Sequence, residues 1–191
     1  MKNCAGSNVL AIQGMNCVVI GTDNAVDGSL FRVAAVRGRL YCGIEGPESH
    51  VKAVRKEMAI RVQRISGQVT PEVYTMILSR FLQVSPVPYQ VDCIVAGLQP
   101  VTRRPYIATV DMLGITNYID DFVAVGKLRP QLHVNCEALY KRDMSVDDVL
   151  ETMGNTLFGN TNPDVVKEAL IFIIRPSLNL QDTGTTANLE N

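Results

Sequence analysis

The chain has 191 residues, 47% of them hydrophobic and 19% charged, which is enough to bury one sizeable core and too few to expect several domains. Eighteen basic side chains stand against nineteen acidic ones, a formal net charge of -1, so no broad positive field can hold a phosphate backbone or an anionic bilayer by charge alone. No apolar run approaches the roughly 20 residues that cross a bilayer, and Met1 to Ser7 lacks the apolar stretch of a signal peptide. The expectation is an intracellular chain with neither nucleic acid nor membrane as a partner.

Cysteine usage agrees with that placement. Cys4, Cys17, Cys42, Cys93 and Cys136 are an odd set without C-x-x-C spacing, and three sit inside apolar strand-like runs. They read as small buried hydrophobes and not as a disulfide framework. His50 and His133 are the only histidines, and neither is spaced against another good ligand, so neither a metal nor another cofactor is expected.

In chain order, Val9 to Ile12 and Cys17 to Ile20 are apolar runs joined by Gln13-Gly14-Met15-Asn16, which suits a β-hairpin. Phe31 to Val36 is read as a strand, and Arg39 to Ile44 as a further one. The period then changes. Val51, Val54, Met58, Val62 and Ile65 recur at steps of three and four with Lys52, Arg55, Lys56, Arg61 and Arg64 between them, an amphipathic helix with a solvated basic side. A second helix follows Thr70-Pro71-Glu72, where Thr caps and Pro suits the first turn, with Val73, Ile77, Phe81 and Val84 expected to form its buried stripe up to the Pro86-Val87-Pro88 turn. Strands return at Val91 to Ala96, Tyr106 to Val110 and Phe122 to Val125, separated by turns carrying Gly97, Pro100, Pro105 and Gly114. Helical spacing resumes at Leu128, Leu132, Cys136 and Leu139. It recurs at Val146, Val149, Leu150, Met153 and Leu157 behind a Ser145-x-x-Asp148 cap. A last strand, Ala169 to Ile174, precedes a polar tail.

Strands, two helices, strands, two helices and a final strand cannot form a singly alternating βαβ wheel. Two facing sheets with a helix pair on each outer face would bury every apolar stripe, so the expected fold is α+β, a four-layer α-β-β-α sandwich. It is read as one domain over residues 1–181 with a loose tail over 182–191.

The residues also resemble a known family, the beta subunits of the 20S proteasome, nearly end to end. The likeness is carried by Gly14-x-Asn16-Cys17-Val18 leading to Asp23, by Arg39-Leu40-Tyr41-x-Gly43-x-x-Gly46, and by Val95-Ala96-Gly97-Leu98. It continues through Asp111-x-x-Gly114, Asp120-Asp121-Phe122-Val123-x-x-Gly126, Cys136-Glu137-x-Leu139 and Leu150-x-Thr152. The family's Ntn-hydrolase fold is the same four-layer sandwich. Two segments depart from its pattern: the stretch between Asp23 and Arg39 is shorter than usual, and the Gly-rich pattern before the last strand reads Val166-Lys167-Glu168.

Active members of that family attack with an amino-terminal threonine whose freed amine moves the proton while an Asp and a Lys tune the site. By resemblance the nucleophile position falls on Ser7, behind Gly6, and the supporting Asp on Asp23. No Lys occurs between Lys2 and Lys52, and Arg32 is the nearest stand-in. A guanidinium supplies charge without tunable proton traffic. The expected catalytic set is therefore none, with Ser7, Asp23 and Arg32 as degenerate family positions. The plainer reading makes Asp23 a turn cap and Arg32 a strand-edge charge; a weakly active, self-processing Ser-type N-terminal nucleophile peptidase is the alternative.

What the resemblance implies is a non-catalytic structural subunit of the beta ring, in ATP- and ubiquitin-dependent protein degradation in cytoplasm and nucleus. Its partners would be other beta subunits, including beta type-2 and beta type-4 neighbours, the alpha ring subunits and the opposing beta ring, with protein substrates passing through the chamber. Asp111 and Ile115 would stand in the wall of the trypsin-like beta type-2 neighbour's substrate pocket, where an acidic group favours basic side chains. Asp111 also reads simply as a turn residue after a strand.

Overall fold

Gly14 shows why the chain opens with a hairpin. Its N–H donates to the Cys17 carbonyl at 2.9 Å, and an added Cβ would lie 2.7 Å from both Cys17 Sγ and the Met144 carbonyl oxygen, so only glycine permits the turn. The turn joins β1 (Asn8–Gln13) to β2 (Val18–Thr22), as expected. The computed structural model describes residues 7–23, 32–159 and 169–176. β1 also pairs antiparallel with β8 (Phe122–Gly126), and β2 with β9 (Leu170–Ile174), giving a sheet of order β8-β1-β2-β9. Every second residue of β1 faces a different core. Val9 and Ala11 point toward the other sheet and Leu10 and Ile12 toward helices, which is why the run is apolar without alternation.

The second sheet has the order β3-β4-β5-β6-β7, all antiparallel: β3 (Val33–Arg37), β4 (Leu40–Glu45), β5 (Asp92–Leu98), β6 (Pro105–Val110) and β7 (Thr116–Ile119). The strand read over Phe31 to Val36 corresponds to β3, whose register slips between Ala35 and Arg37, while Phe31 itself lies outside the described residues. β7 was not anticipated. It is a four-residue edge strand with mostly polar or half-exposed positions, so neither alternation nor an apolar run marks it.

Helices α1 (Glu48–Gln63) and α2 (Pro71–Val84) cover the outer face of the second sheet. Four members of the α1 stripe are buried in the helix, and Ile65 packs against the same core from just past its end. Thr70 caps α2, its Oγ1 accepting from the Val73 N–H at 3.2 Å. The α2 stripe is corrected: Tyr74, Leu78, Phe81 and Leu82 are buried, Val73 and Ile77 only partly, and Val84 is 55% exposed. Two parallel apolar rows run along this helix, and the sheet takes the row carrying the larger Tyr and Leu side chains.

Helices α3 (Arg129–Leu139) and α4 (Val146–Phe158) cover the first sheet. In α3 only Leu132 and Cys136 are buried, and the expected outer members are each 40% exposed, Leu128 as the residue that precedes the helix and Leu139 as its last. In α4 the capping box is complete: Ser145 Oγ accepts from the Asp148 N–H while Asp148 Oδ2 accepts from the Ser145 N–H, both at 3.2 Å. Between the sheets lies a third core around Val9, Ile20, Ile94 and Ile107. The order is thus helices, sheet, sheet, helices, the expected four-layer α+β sandwich. Cys17, Cys42, Cys93 and Cys136 are buried free thiols within these cores; Cys4, Val166 to Glu168 and the tail lie outside the described residues.

Candidate functional site

One end of the sandwich gathers the starts and ends of β1, β2, β4 and β6. Ser7 stands immediately before β1, and Glu45 closes β4. Ser7 is buried, and its Oγ donates to Glu45 Oε2 at 2.6 Å. Arg32 Nη1 approaches the same carboxylate oxygen at 3.8 Å and donates to the Gly46 carbonyl at 2.8 Å. The main chain of Arg32 is fixed as well, since its carbonyl accepts from the Ile44 N–H at 2.9 Å and from Arg55 Nη2 at 2.7 Å. Gly46 makes the sharp exit from β4 possible: it sits at φ +145°, and a Cβ there would lie 2.3 Å from the Gln90 carbonyl oxygen.

Asp23 is held differently. Its carboxylate accepts from the Asn8 N–H at 2.7 Å and from Asn8 Nδ2 at 2.6 Å, while Asn8 Oδ1 accepts from the Leu128 N–H at 2.7 Å. Asp23 and Asn8 are both buried. The carboxylate therefore pins the end of β2 to the start of β1, and through Asn8 to the chain leaving β8. Among the described residues no ion pair joins Asp23 to Arg32.

Of the three degenerate positions, the structure brings Ser7 and Arg32 onto one carboxylate and gives Asp23 to Asn8. Asp23 is thus more than the cap of a local turn, and Arg32 more than a plain strand-edge charge. Sequence reasoning missed Glu45. The signal was present: a lone carboxylate closing an otherwise apolar strand, ahead of a glycine.

Burial pushes the Glu45 carboxyl above the ordinary glutamate value, and the nearby Asp23 charge adds to this, while the Ser7 hydrogen bond, the Arg32 guanidinium and the Gly46 N–H only partly offset it. A carboxyl whose value is raised by folding holds its proton more tightly in the native state. Its contribution to stability is complete below the unfolded value and is lost as pH rises through the folded one. Glu45→Gln is expected to flatten that part of the stability profile and leave the more acidic part unchanged, as urea midpoints measured across the interval would show. An unchanged slope would mean that the carboxyl is not desolvated.

Asp111 and Ile115 lie at the same end, in the turn between β6 and β7. Asp111 Oδ1 accepts from the Leu113 N–H at 2.9 Å and from the Ile115 N–H at 2.8 Å, and Gly114 occupies φ +76°. The turn geometry expected of the plainer reading is present. Met112, Leu113, Ile115 and Tyr118 nonetheless stand exposed around it, an apolar edge beside the Ser7 end of the molecule.

The arrangement can hold a serine hydroxyl against a carboxylate backed by a guanidinium. Among the described residues, the hydrogen bonds and ion pairs of Ser7, Asp23 and Arg32 involve no lysine. A family model described as proteasome subunit matches residues 4–171 of the chain. The chain belongs to the proteasome subunit family. Relatives within it include proteasome subunit beta type-3 of Drosophila melanogaster, 28% identical over 183 residues with 88% of this chain and 89% of the relative covered. The Dictyostelium discoideum protein of the same description is 25% identical over 186 residues, covering 90% and 91%. The Saccharomyces cerevisiae one is 26% identical over 183 residues, covering 89% of each chain. The proteasome-subunit likeness thus spans all four layers of the sandwich.

Proposed function

We propose that this chain is a non-catalytic, structural subunit of the beta ring of the 20S proteasome, contributing interfaces to protein degradation and cleaving nothing itself. The observation that carries the reading is Arg32. It stands in the stretch where an active subunit has its lysine, and its guanidinium is committed to the Gly46 carbonyl and to Glu45. A guanidinium supplies positive charge and forked donors, not the tuned proton traffic an activated hydroxyl needs. The proteasome subunit beta type-3 relatives support the same assignment. On this reading the partners are beta type-2 and beta type-4 neighbours, the alpha ring and the opposing beta ring, in cytoplasm and nucleus. The exposed side chains around Asp111 and Ile115 would meet the beta type-2 neighbour beside its substrate pocket.

Two tagged variants test this in purified particles. Ser7→Ala is expected to enter the particle and leave every peptidase activity unchanged. Glu137→Lys with Glu151→Lys, which reverses exposed charges on α3 and α4, is expected to retain its far-UV spectrum while accumulating in partial assemblies on gel filtration. Loss of one peptidase activity in Ser7→Ala, or normal entry of the charge-reversed chain into intact particles, would overturn the assignment.

One observation favours a second reading. The 2.6 Å hydrogen bond from Ser7 to Glu45 places a carboxylate base on a hydroxyl, as a weak self-processing Ser-type nucleophile would require. A mass spectrum showing removal of residues 1–6, with covalent inhibitor on Ser7, would decide for it.

A further inference from the structure

Outside the Ser7 end, a cavity of about 320 Å³ opens between the edge strand β3 and helix α1. Its floor is apolar and buried: Ile44, Met58, Val62 and the ring of Tyr74. Its mouth is formed by exposed Ala35, Arg37, Ala59 and Gln63. This volume suits a molecule of roughly a dozen heavy atoms, at the small end of ligand pockets.

Arg55 lines the same cavity, and among the described residues no ion pair balances its charge. One Nη2 hydrogen goes to the Arg32 carbonyl, but among the described residues the buried Nε–H has no hydrogen-bond partner. Its electrostatic neighbours are Cys42, Tyr74, Cys93 and Arg32, none of them a carboxylate, and burial works against the charged form. A guanidinium removed from water without a counter-ion is a costly arrangement, and a carboxylate arriving beside it would relieve that cost. Inside the cavity the Cys42 thiol and Tyr74 hydroxyl are hydrogen-bonded to each other, while Arg37 and Gln63 stand exposed at the mouth, Arg37 donating to the Gly67 carbonyl, so the depth of the cavity offers Arg55 as its one charged donor, too few for a phosphate. They offer an apolar bed instead.

We propose that the β3–α1 cavity is a binding site for a small monocarboxylic acid with an apolar body, its carboxylate paired with Arg55 Nε and its chain lying over Ile44, Met58 and Val62. The pairing is directional because guanidinium and carboxylate match as planar forks. Arg55 is the one side chain that touches both places, through the Arg32 carbonyl; the site stands whether or not the beta-ring reading does.

The test uses the full-length chain in its purified complex and an octanoate analogue carrying a terminal diazirine. After irradiation, adducts are expected on α1 near Met58 and Val62 or on β4, competed by octanoate but not by the uncharged octanamide. Arg55→Met is expected to lower labelling by about tenfold or more, the worth of one charge-assisted hydrogen bond. Since that change also removes the bond to the Arg32 carbonyl, Ala59→Trp serves beside it, closing the mouth while leaving Arg55 in place; it is expected to lower labelling as strongly. Equal competition by octanamide, adducts placed elsewhere, or undiminished labelling in Ala59→Trp would each overturn the proposal.

Discussion

Gly43→Val is expected to leave the chain unable to close its two sheets, with no cooperative unfolding transition at physiological temperature. Gly43 sits in the middle of β4, and an added Cβ would lie 2.5 Å from Val9 Cγ1 and 3.4 Å from Ile20 Cδ1, both on the facing sheet. Val9 and Ile20 are fully buried, and a valine in a strand has few rotamers with which to withdraw. Over-packing typically costs about 1–3 kcal/mol per site; here one methyl already overlaps, and a valine places two more in the same gap, so several kcal/mol are at stake in a domain stable by about 5–15. Gly43→Ala separates this from a general intolerance of β4. It is expected to fold with a lowered urea midpoint, and Val9→Ala in the same chain to restore part of the loss although it is destabilising alone. If the two changes simply added, the clash with Val9 would not be what glycine avoids.

That contact also marks where sequence reading stops. β1 to β6, β8 and β9, all four helices and the caps at Thr70 and Ser145 followed from local chemistry, because apolar period, Thr70-Pro71 and Ser145-x-x-Asp148 act within a few residues of one another. The layer order followed too, since strands apolar on both faces need cover on both. β7 did not, because an edge strand buries little and its Thr116-Asn117-Tyr118 pattern resembles a turn. Nor did the α2 stripe, because two apolar rows on one helix leave the choice to the sheet beneath. In the candidate site, Ser7, Asp23 and Arg32 came from a family pattern, whereas Glu45 is 38 positions from Ser7. Only the fold places a carboxylate closing β4 beside a hydroxyl preceding β1. Arg55 is expected on the solvated basic side, yet it lines the β3–α1 cavity and donates to the Arg32 carbonyl; it stands four residues after Val51 and three before Met58, along the buried stripe, so here residue type misleads and helical spacing does not.

Asp23→Asn is expected to cost roughly 3 kcal/mol although it changes one atom, because the bonds around Asn8 have a fixed sense. The Asp23 carboxylate accepts from both the N–H and the Nδ2 of Asn8, and Asn8 Oδ1 is already taken by the Leu128 N–H. An amide at position 23 can still accept one of the two, but its own NH2 then faces Asn8 Nδ2. Flipping the amide at 23 puts donor against the Asn8 N–H, and flipping Asn8 puts donor against the Leu128 N–H, so one buried donor pair is unavoidable. Asn8→Asp combined with Asp23→Asn exchanges the roles. A carboxylate at position 8 accepts from the Leu128 N–H and from the amide at 23, whose oxygen accepts the main-chain N–H at 8, and every group is again satisfied. The double variant is expected to regain most of the lost stability, read as a Tm restored from a drop of about 2–4 °C per kcal/mol for a chain of this length. Recovery would define Asp23 as the pin joining β1, β2 and the exit of β8. If Asp23→Asn alone were well tolerated, or the exchanged pair recovered nothing, the fixed sense of the hydrogen bonds around Asn8 would not be what holds β1 to β2.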